Sequence, residues 1–156
     1  MPEPAFLLDG MLGSLARWLR MIGYDSVYVR DAADGDLLGM LGNRSLLTRD
    51  RQLAQRAGPR GFYLESDVLD DQLSAVMERF GLSLEREGTR CTACNGELEK
   101  VDKEAVRGRV PEGTWSVHQE FWLCSRCGKA YWHGAHWKNI RQRLDRITEG
   151  PGNSPR

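Results

Sequence analysis

Over the first eighty residues the apolar positions switch between two spacings. Short apolar runs alternate with longer segments in which apolar residues recur every three or four positions. The first run, Ala5-Phe6-Leu7-Leu8, ends at Asp9-Gly10. Over 11–22, Leu12, Leu15, Leu19 and Ile22 share one helical face with Arg17 and Arg20 off it, and Gly23 stops the helix. Val27-Tyr28-Val29 reads as a second strand, followed by Asp31, and 34–41 as a short helix. Ser45-Leu46-Leu47-Thr48 is a third strand, ending at Arg49-Asp50, with helical spacing over 51–57. Gly61-Phe62-Tyr63-Leu64 is a fourth, ending near Ser66-Asp67, and 69–80 then turns Leu69, Leu73, Val76, Met77 and Phe80 inward. Such a repeat predicts an α/β domain, a mainly parallel sheet with helices on its faces.

The pattern changes after residue 86. All four cysteines lie in two C-x-x-C pairs, Cys91-Thr92-Ala93-Cys94 and Cys124-Ser125-Arg126-Cys127, separated by 29 residues. Two intervening residues let a tight knuckle aim both sulfurs at one point, and Gly96 and Gly128 suit the positive-φ position that a knuckle needs. Cys91, Cys94, Cys124 and Cys127 then form a closed tetrahedron of soft ligands, the geometry of structural Zn²⁺. An iron–sulfur cluster uses the same thiolates. A redox motif explains one pair but not two, and disulfides are not expected without a secretion signal. No coordination position stays open for a substrate, so the ion is expected to fold a small β-rich ribbon and not to catalyse. The spacer is long enough for a hairpin or extra strands.

Aromatic residues crowd this segment: Trp115, Phe121, Trp122, Tyr131, Trp132 and Trp137. They suit base stacking. In a module with little core of its own they also suit packing over the metal and its neighbour, which is the expectation for most of them. Over 136–147, Trp137, Ile140, Leu144 and Ile147 share a helical face. The expected organisation is a first domain over 1–86, a ribbon with a C-terminal helix over 87–149, and a disordered Gly- and Pro-rich tail over 150–156.

Charge adds a division of labour. Net charge is zero, but residues 1–88 hold 10 Arg, no Lys and 14 acids, whereas 89–156 hold 12 basic and 8 acidic residues. An acidic half (−4) joined to a basic half (+4) fits a carboxylate site beside a polyanion-binding surface. No apolar run approaches the ~20 residues of a membrane span. The start, Met1-Pro2-Glu3-Pro4, lacks the basic and apolar regions of a signal peptide. A cytoplasmic location and no membrane partner are expected.

The chemistry sits at the strand ends. An acid follows every strand: Asp9; Asp31 with Asp34 and Asp36; Asp50; and Asp67. In parallel sheets ligands bind at the carboxyl ends. Converging carboxylates repel, and a hard divalent cation such as Mg²⁺ or Mn²⁺ resolves the repulsion. Four of these acids also have a plainer reading, as a helix N-cap at Asp50 and Asp67 or a solvated loop residue at Asp31 and Asp34, whereas Asp9, followed by Gly10 at a tight strand end, is harder to read that way. No G-x-x-x-x-G-K-[ST] phosphate loop is present, and no G-x-G-x-x-G follows the first strand. A receiver domain needs a strand-end lysine, and the first lysine here is Lys100. No cysteine remains as a nucleophile, and His118, His133 and His136 all lie beyond residue 86.

Taken in order, several short motifs resemble one known family. They are Phe6-Leu7-Leu8-Asp9, Leu15-Ala16-Arg17, Gly23-Tyr24-Asp25, Asp36-Leu37, Leu46-Leu47-Thr48-Arg49-Asp50, Ser66-Asp67, Arg90-Cys91, Cys94-Asn95-Gly96, Phe121-Trp122, Cys127-Gly128 and Tyr131-Trp132. From about Phe6 to Leu144 the chain resembles the PIN-like domains with a C-terminal zinc ribbon. That ribonuclease domain also occurs at the C-terminal end of Mut-seven exonucleases. The resemblance implies a PIN-like three-layer domain and a metal-dependent ribonuclease acting on RNA. It implies Asp9, Asp36 and Asp50 as an acidic triad for Mg²⁺ or Mn²⁺, with Asp67 as a fourth acid. Asp36 stands where the family often has Glu. Arg17 and Arg49 become candidates for neutralising phosphate charge, and Thr48 for binding a phosphate oxygen or orienting Asp50. Ribosome or tRNA association belongs to the same expectation. The rivals are a non-catalytic RNA- or ribosome-binding protein on this fold and a toxin of a two-gene module.

Overall fold

A computed structural model of the chain describes residues 3–149; the expected disordered tail lies outside the described residues. Four βα units open it. β1 (Phe6–Leu8), β2 (Ser26–Tyr28), β3 (Ser45–Thr48) and β4 (Gly61–Tyr63) alternate with α1 (Gly13–Met21), α2 (Asp34–Gly39), α3 (Arg51–Ala57) and α4 (Leu69–Phe80). All pairings are parallel and the order is β2-β1-β3-β4. Strands covered on both faces need side chains that are apolar throughout. β1 meets that demand: Phe6 and Leu8 enter one core, and Leu7 enters the other.

The two cores lie on opposite faces of the sheet. The larger joins Phe6, Leu8 and Leu47 to Leu15 and Leu19 of α1 and to Leu73 and Val76 of α4. The smaller joins Leu7 and Leu46 to Leu37 of α2 and Leu53 of α3. The chain moves outward from β1 to β2 through α1, then returns across β1 to β3 through α2 on the other face. Crossovers of one hand require that change of face when the direction reverses. The reversal leaves a crevice between the carboxyl ends of β1 and β3, the place where such sheets bind ligands.

The second half forms a three-stranded antiparallel sheet of β5 (Leu98–Val101), β6 (Phe121–Cys124) and β7 (Ala130–Tyr131), in that order. The long spacer holds β5, a 3-10 turn at Lys103–Val106 and the short helix α5 (Glu112–Val117). The two helical turns are too short for periodicity to reveal. Val106, Val110 and Phe121 make a small core there, with Trp115 and Trp132 against it. The last helix, α6 (Ala135–Glu149), leaves the ribbon and returns to the first domain. Its Ile140, Leu144 and Ile147 are buried in the larger α/β core. Arg143 Nη2 lies 2.6 Å from an Asp70 carboxylate oxygen of α4, and its guanidinium lies over Trp18 of α1. The apolar face of this helix was legible in the sequence; its partner was not. No helix among the described residues is long and apolar enough to cross a membrane.

Candidate functional site

The crevice at the strand reversal is built around one hydroxyl. Thr48, the last residue of β3, is fully buried. Its Oγ1 donates to Asp9 Oδ2 at 2.5 Å and accepts from the Asp50 backbone N–H at 3.0 Å. One oxygen thus ties the loop after β1 to the loop after β3. Asp50 caps α3: its Oδ1 accepts from the Leu53 N–H at 3.1 Å. Asp9 is half-buried, and its other oxygen lies 3.4 Å from the Met11 N–H. Gly10 follows because the Arg30 carbonyl occupies the space of a side chain there.

The other residues expected at the site stand apart from this pair. Asp36 is exposed in the first turn of α2, two residues after Asp34, which pairs with Arg56 at 3.8 Å. Asp67 is exposed in the loop before α4 and caps nothing. Ser66 takes that turn instead, accepting from the Val68 N–H and donating to Asp71. Arg49 donates to the carbonyls of Leu64 and Glu65, which holds the β3 loop against the β4 loop. Arg17 is exposed on α1. Thr48 offers no surface to a substrate; its geometry is that of a positioning residue.

The cysteines converge more tightly. Their four sulfurs all lie within 4.8 Å of one another, the one such set of three or more ligand groups among the described residues. Cys91–Cys127 and Cys94–Cys124 sulfur separations are 3.7 and 3.4 Å. A disulfide needs about 2.05 Å, whereas tetrahedral metal–sulfur bonds of about 2.3 Å place sulfurs about 3.8 Å apart. The cluster can therefore hold one metal ion. Burial works to raise the Cys124 pKa, but N–H donors from Cys127 and Arg126 prevail and hold it at about 6. The Cys91 thiol is also lowered: burial opposes, while the Tyr131 hydroxyl at 3.0 Å and backbone N–H groups favour the thiolate.

A family model described as the Mut7-C RNAse domain matches residues 4–144. The chain belongs to that family. No curated protein and no solved structure matches it. The Mut7-C match runs through the parallel sheet, the cysteine cluster and α6 as far as Leu144. One family unit therefore contains both halves of the charge pattern.

Within this Mut7-C domain the first knuckle is also a joint. The positive-φ residue is Asn95 (φ 72), not Gly96; in the second knuckle it is Gly128 (φ 78). Both immediately follow the second cysteine of their pair. Gly96 is required for a different reason. A Cβ there would lie 2.8 Å from Cys124 Sγ and 2.9 Å from Arg126 Cβ. Asn95 tolerates the left-handed region better than most residues, and its side chain reaches the first domain. Its Oδ1 accepts from the Ser26 N–H at 2.9 Å, and its Nδ2 donates to Asp25 at 2.7 Å. Asp25 also holds Arg44 through two bonds of 2.7 and 3.1 Å. Burial pushes the Asp25 pKa up, but Arg44 and Asn95 outweigh it and keep the carboxyl below its ordinary value. Arg20 of α1 completes the joint by donating to the carbonyls of Ser26 and Thr92. No local pattern marks these residues, because their partners lie about seventy positions away.

Proposed function

We propose that this Mut7-C domain is a metal-dependent ribonuclease of PIN-like architecture that hydrolyses RNA phosphodiester bonds. The observation that carries the reading is the Thr48 hydroxyl joining Asp9 to the Asp50 loop at the strand reversal. Asp9, Asp36 and Asp50 would hold Mg²⁺ or Mn²⁺, since their carboxylate oxygens are the hard donors such ions select. Asp36 follows β2 and Asp67 follows β4, so all four acids follow carboxyl ends of one parallel sheet. When bound, the ion lowers the pKa of water and clamps a phosphate. Thr48 fixes Asp9 and the cap bond fixes Asp50, and Asp67, in the loop after β4, would accept the proton of the attacking water. Arg17 and Arg49 supply positive charge on either side. In the cysteine cluster, four soft sulfurs suit a structural Zn²⁺, and the ribbon around it aids RNA binding in the cytoplasm.

The test is cleavage of single-stranded and structured RNA with Mn²⁺ or Mg²⁺, comparing the parent with Asp9→Asn and Asp50→Asn. Each substitution is expected to lower the rate by roughly 100-fold or more, the scale of losing one catalytic group. Cleavage that survives both would sink the site. A second reading is a non-catalytic RNA- or ribosome-binding protein. It is favoured by one observation: among the described residues the acids are not gathered within the reach of a single ion as the cysteines are. RNA binding without metal-dependent cleavage is its expected signature.

A further inference from the structure

Two clefts meet where α1 faces the ribbon. The first has a volume of about 680 Å³ and begins at Gly10, the neighbour of Asp9. Arg17, Arg20, Arg30 and Lys129 line it. The second, of about 470 Å³, is walled by Trp122, Tyr131, Trp132, His133 and Trp137. Arg17, Thr92 and Lys129 border both, so the two form one path from the loop after β1 to the ribbon.

The charge along this path is one-sided. No acid among the described residues lines either cleft. Outside the clefts, Arg44, Arg56, Arg86 and Arg143 each lie within 3.8 Å of a carboxylate. Arg20 is committed to two carbonyls. Arg17, Arg30 and Lys129 have no acidic partner among the described residues. Arg90 borders the second cleft with a buried Nε that makes no hydrogen bond. Clustered like charges of this kind attract a polyanion.

The aromatic wall is equally distinctive. Trp122, His133 and Trp137 form a continuous stack, with ring centroids 4.5 and 4.3 Å apart and interplanar angles of 20° and 3°. Trp122, Tyr131 and Trp137 belong to none of the three apolar cores, unlike Trp18, Trp115 and Trp132. Trp122 and Trp137 instead pack on His133, and Tyr131 bonds Cys91 through its hydroxyl, so these rings line the cleft without entering a core. A cationic cleft that opens into an aromatic one matches the two parts of a nucleotide, and the second volume lies in the ~300–1,000 Å³ range of small-ligand sites. A duplex keeps its bases stacked and out of reach, whereas an unpaired strand offers a ring face at every residue.

We propose that this path binds a single-stranded segment of RNA, with phosphates along Arg17, Arg30 and Lys129 and unpaired bases against the aromatic wall. The inference rests on the ribonuclease reading for its choice of polyanion, and it makes the preferred substrate an RNA with an unpaired flank leading to Asp9. The test is a fluorescence-anisotropy titration of the zinc-loaded full chain without added Mg²⁺ or Mn²⁺. The probes are a roughly 10-nucleotide RNA strand, a blunt duplex of the same sequence, and the same strand with its central bases removed. The intact strand is expected to bind about 10-fold tighter than either of the others. Arg17→Ala with Lys129→Ala is expected to weaken binding about 10-fold at ~0.1 M salt. It should also lower the salt slope by about 1.4, from ~0.7 per lost phosphate contact. Equal affinity for the duplex or the base-less strand overturns the proposal. So does unchanged affinity in a double variant that matches the parent in zinc content and melting temperature. If that variant misfolds, the three probes still decide on the parent protein. Cleavage is scored separately with Mn²⁺. Base-dependent binding with no cleavage of any RNA overturns the ribonuclease reading and leaves the path standing, and cleavage with base-independent binding does the reverse.

Discussion

Thr48 gives its proton to one acid and accepts one from the backbone of another. A hydroxyl can do both; a methyl group can do neither. Thr48→Val keeps the shape but leaves Asp9 and the Asp50 N–H without their partner. We expect cleavage to fall by roughly 10- to 100-fold, as for loss of an outer-shell partner. Thr48→Ser should restore most of it. Single-turnover rates with Mn²⁺, beside thermal melts of both variants, check this. Much of the acid edge was legible, because a strand that ends at an acid is visible in the sequence. Which acids share a hydrogen-bond network was not, since that depends on β1 lying beside β3. Arg49 shows the same limit: its bonds to the Leu64 and Glu65 carbonyls appear only once β4 lies beside β3.

Among the elements, the first cysteine knuckle joins the halves of the molecule. Asn95 has two tasks there, a left-handed backbone and a two-bond latch on β2. Substitutions separate them. Asn95→Gly keeps the conformation and loses the latch, at a cost of about 1–3 kcal/mol. Asn95→Ala loses the latch and adds left-handed strain of about 1–2 kcal/mol. Denaturant melts should therefore rank parent, Gly, Ala; an Ala variant as stable as the Gly variant would refute the strain argument. Periodicity placed all four parallel strands and their helices within a few residues, because each buries a regular stripe. It missed the 3-10 turn and α5 in the spacer, which are one or two turns long. It assigned the knuckle's positive φ to Gly96, because glycine is the usual occupant and the role of Asn95 appears only once β2 is beside it.

At the scale of the whole molecule, the ribbon's own core has only three buried residues, so the ion that its four cysteines can hold is expected to matter more to it than that core. Structural zinc contributes on the order of 10 kcal/mol of folding free energy, comparable to the ~5–15 kcal/mol stability of a domain. Stripping the metal with a chelator is expected to unfold β5–β7 and release the Asn95 latch. Tryptophan emission should shift to the red, and single-strand RNA affinity should be lost, with recovery on adding Zn²⁺. Unchanged emission and affinity after verified metal loss would count against this. The order of assembly follows from where α6 lies. The face of Leu15, Leu19, Leu73 and Val76 is closed by Leu144 and its neighbours, which come after the ribbon. As the chain emerges from the ribosome N-terminus first, the sheet and its acids are made early but remain uncovered. They are fully packed only once residues 135–149 have been synthesised and have folded back. A nascent fragment that ends before α6 therefore exposes an apolar strip along α1 and α4, and the family unit is fully packed only when its last helix is in place.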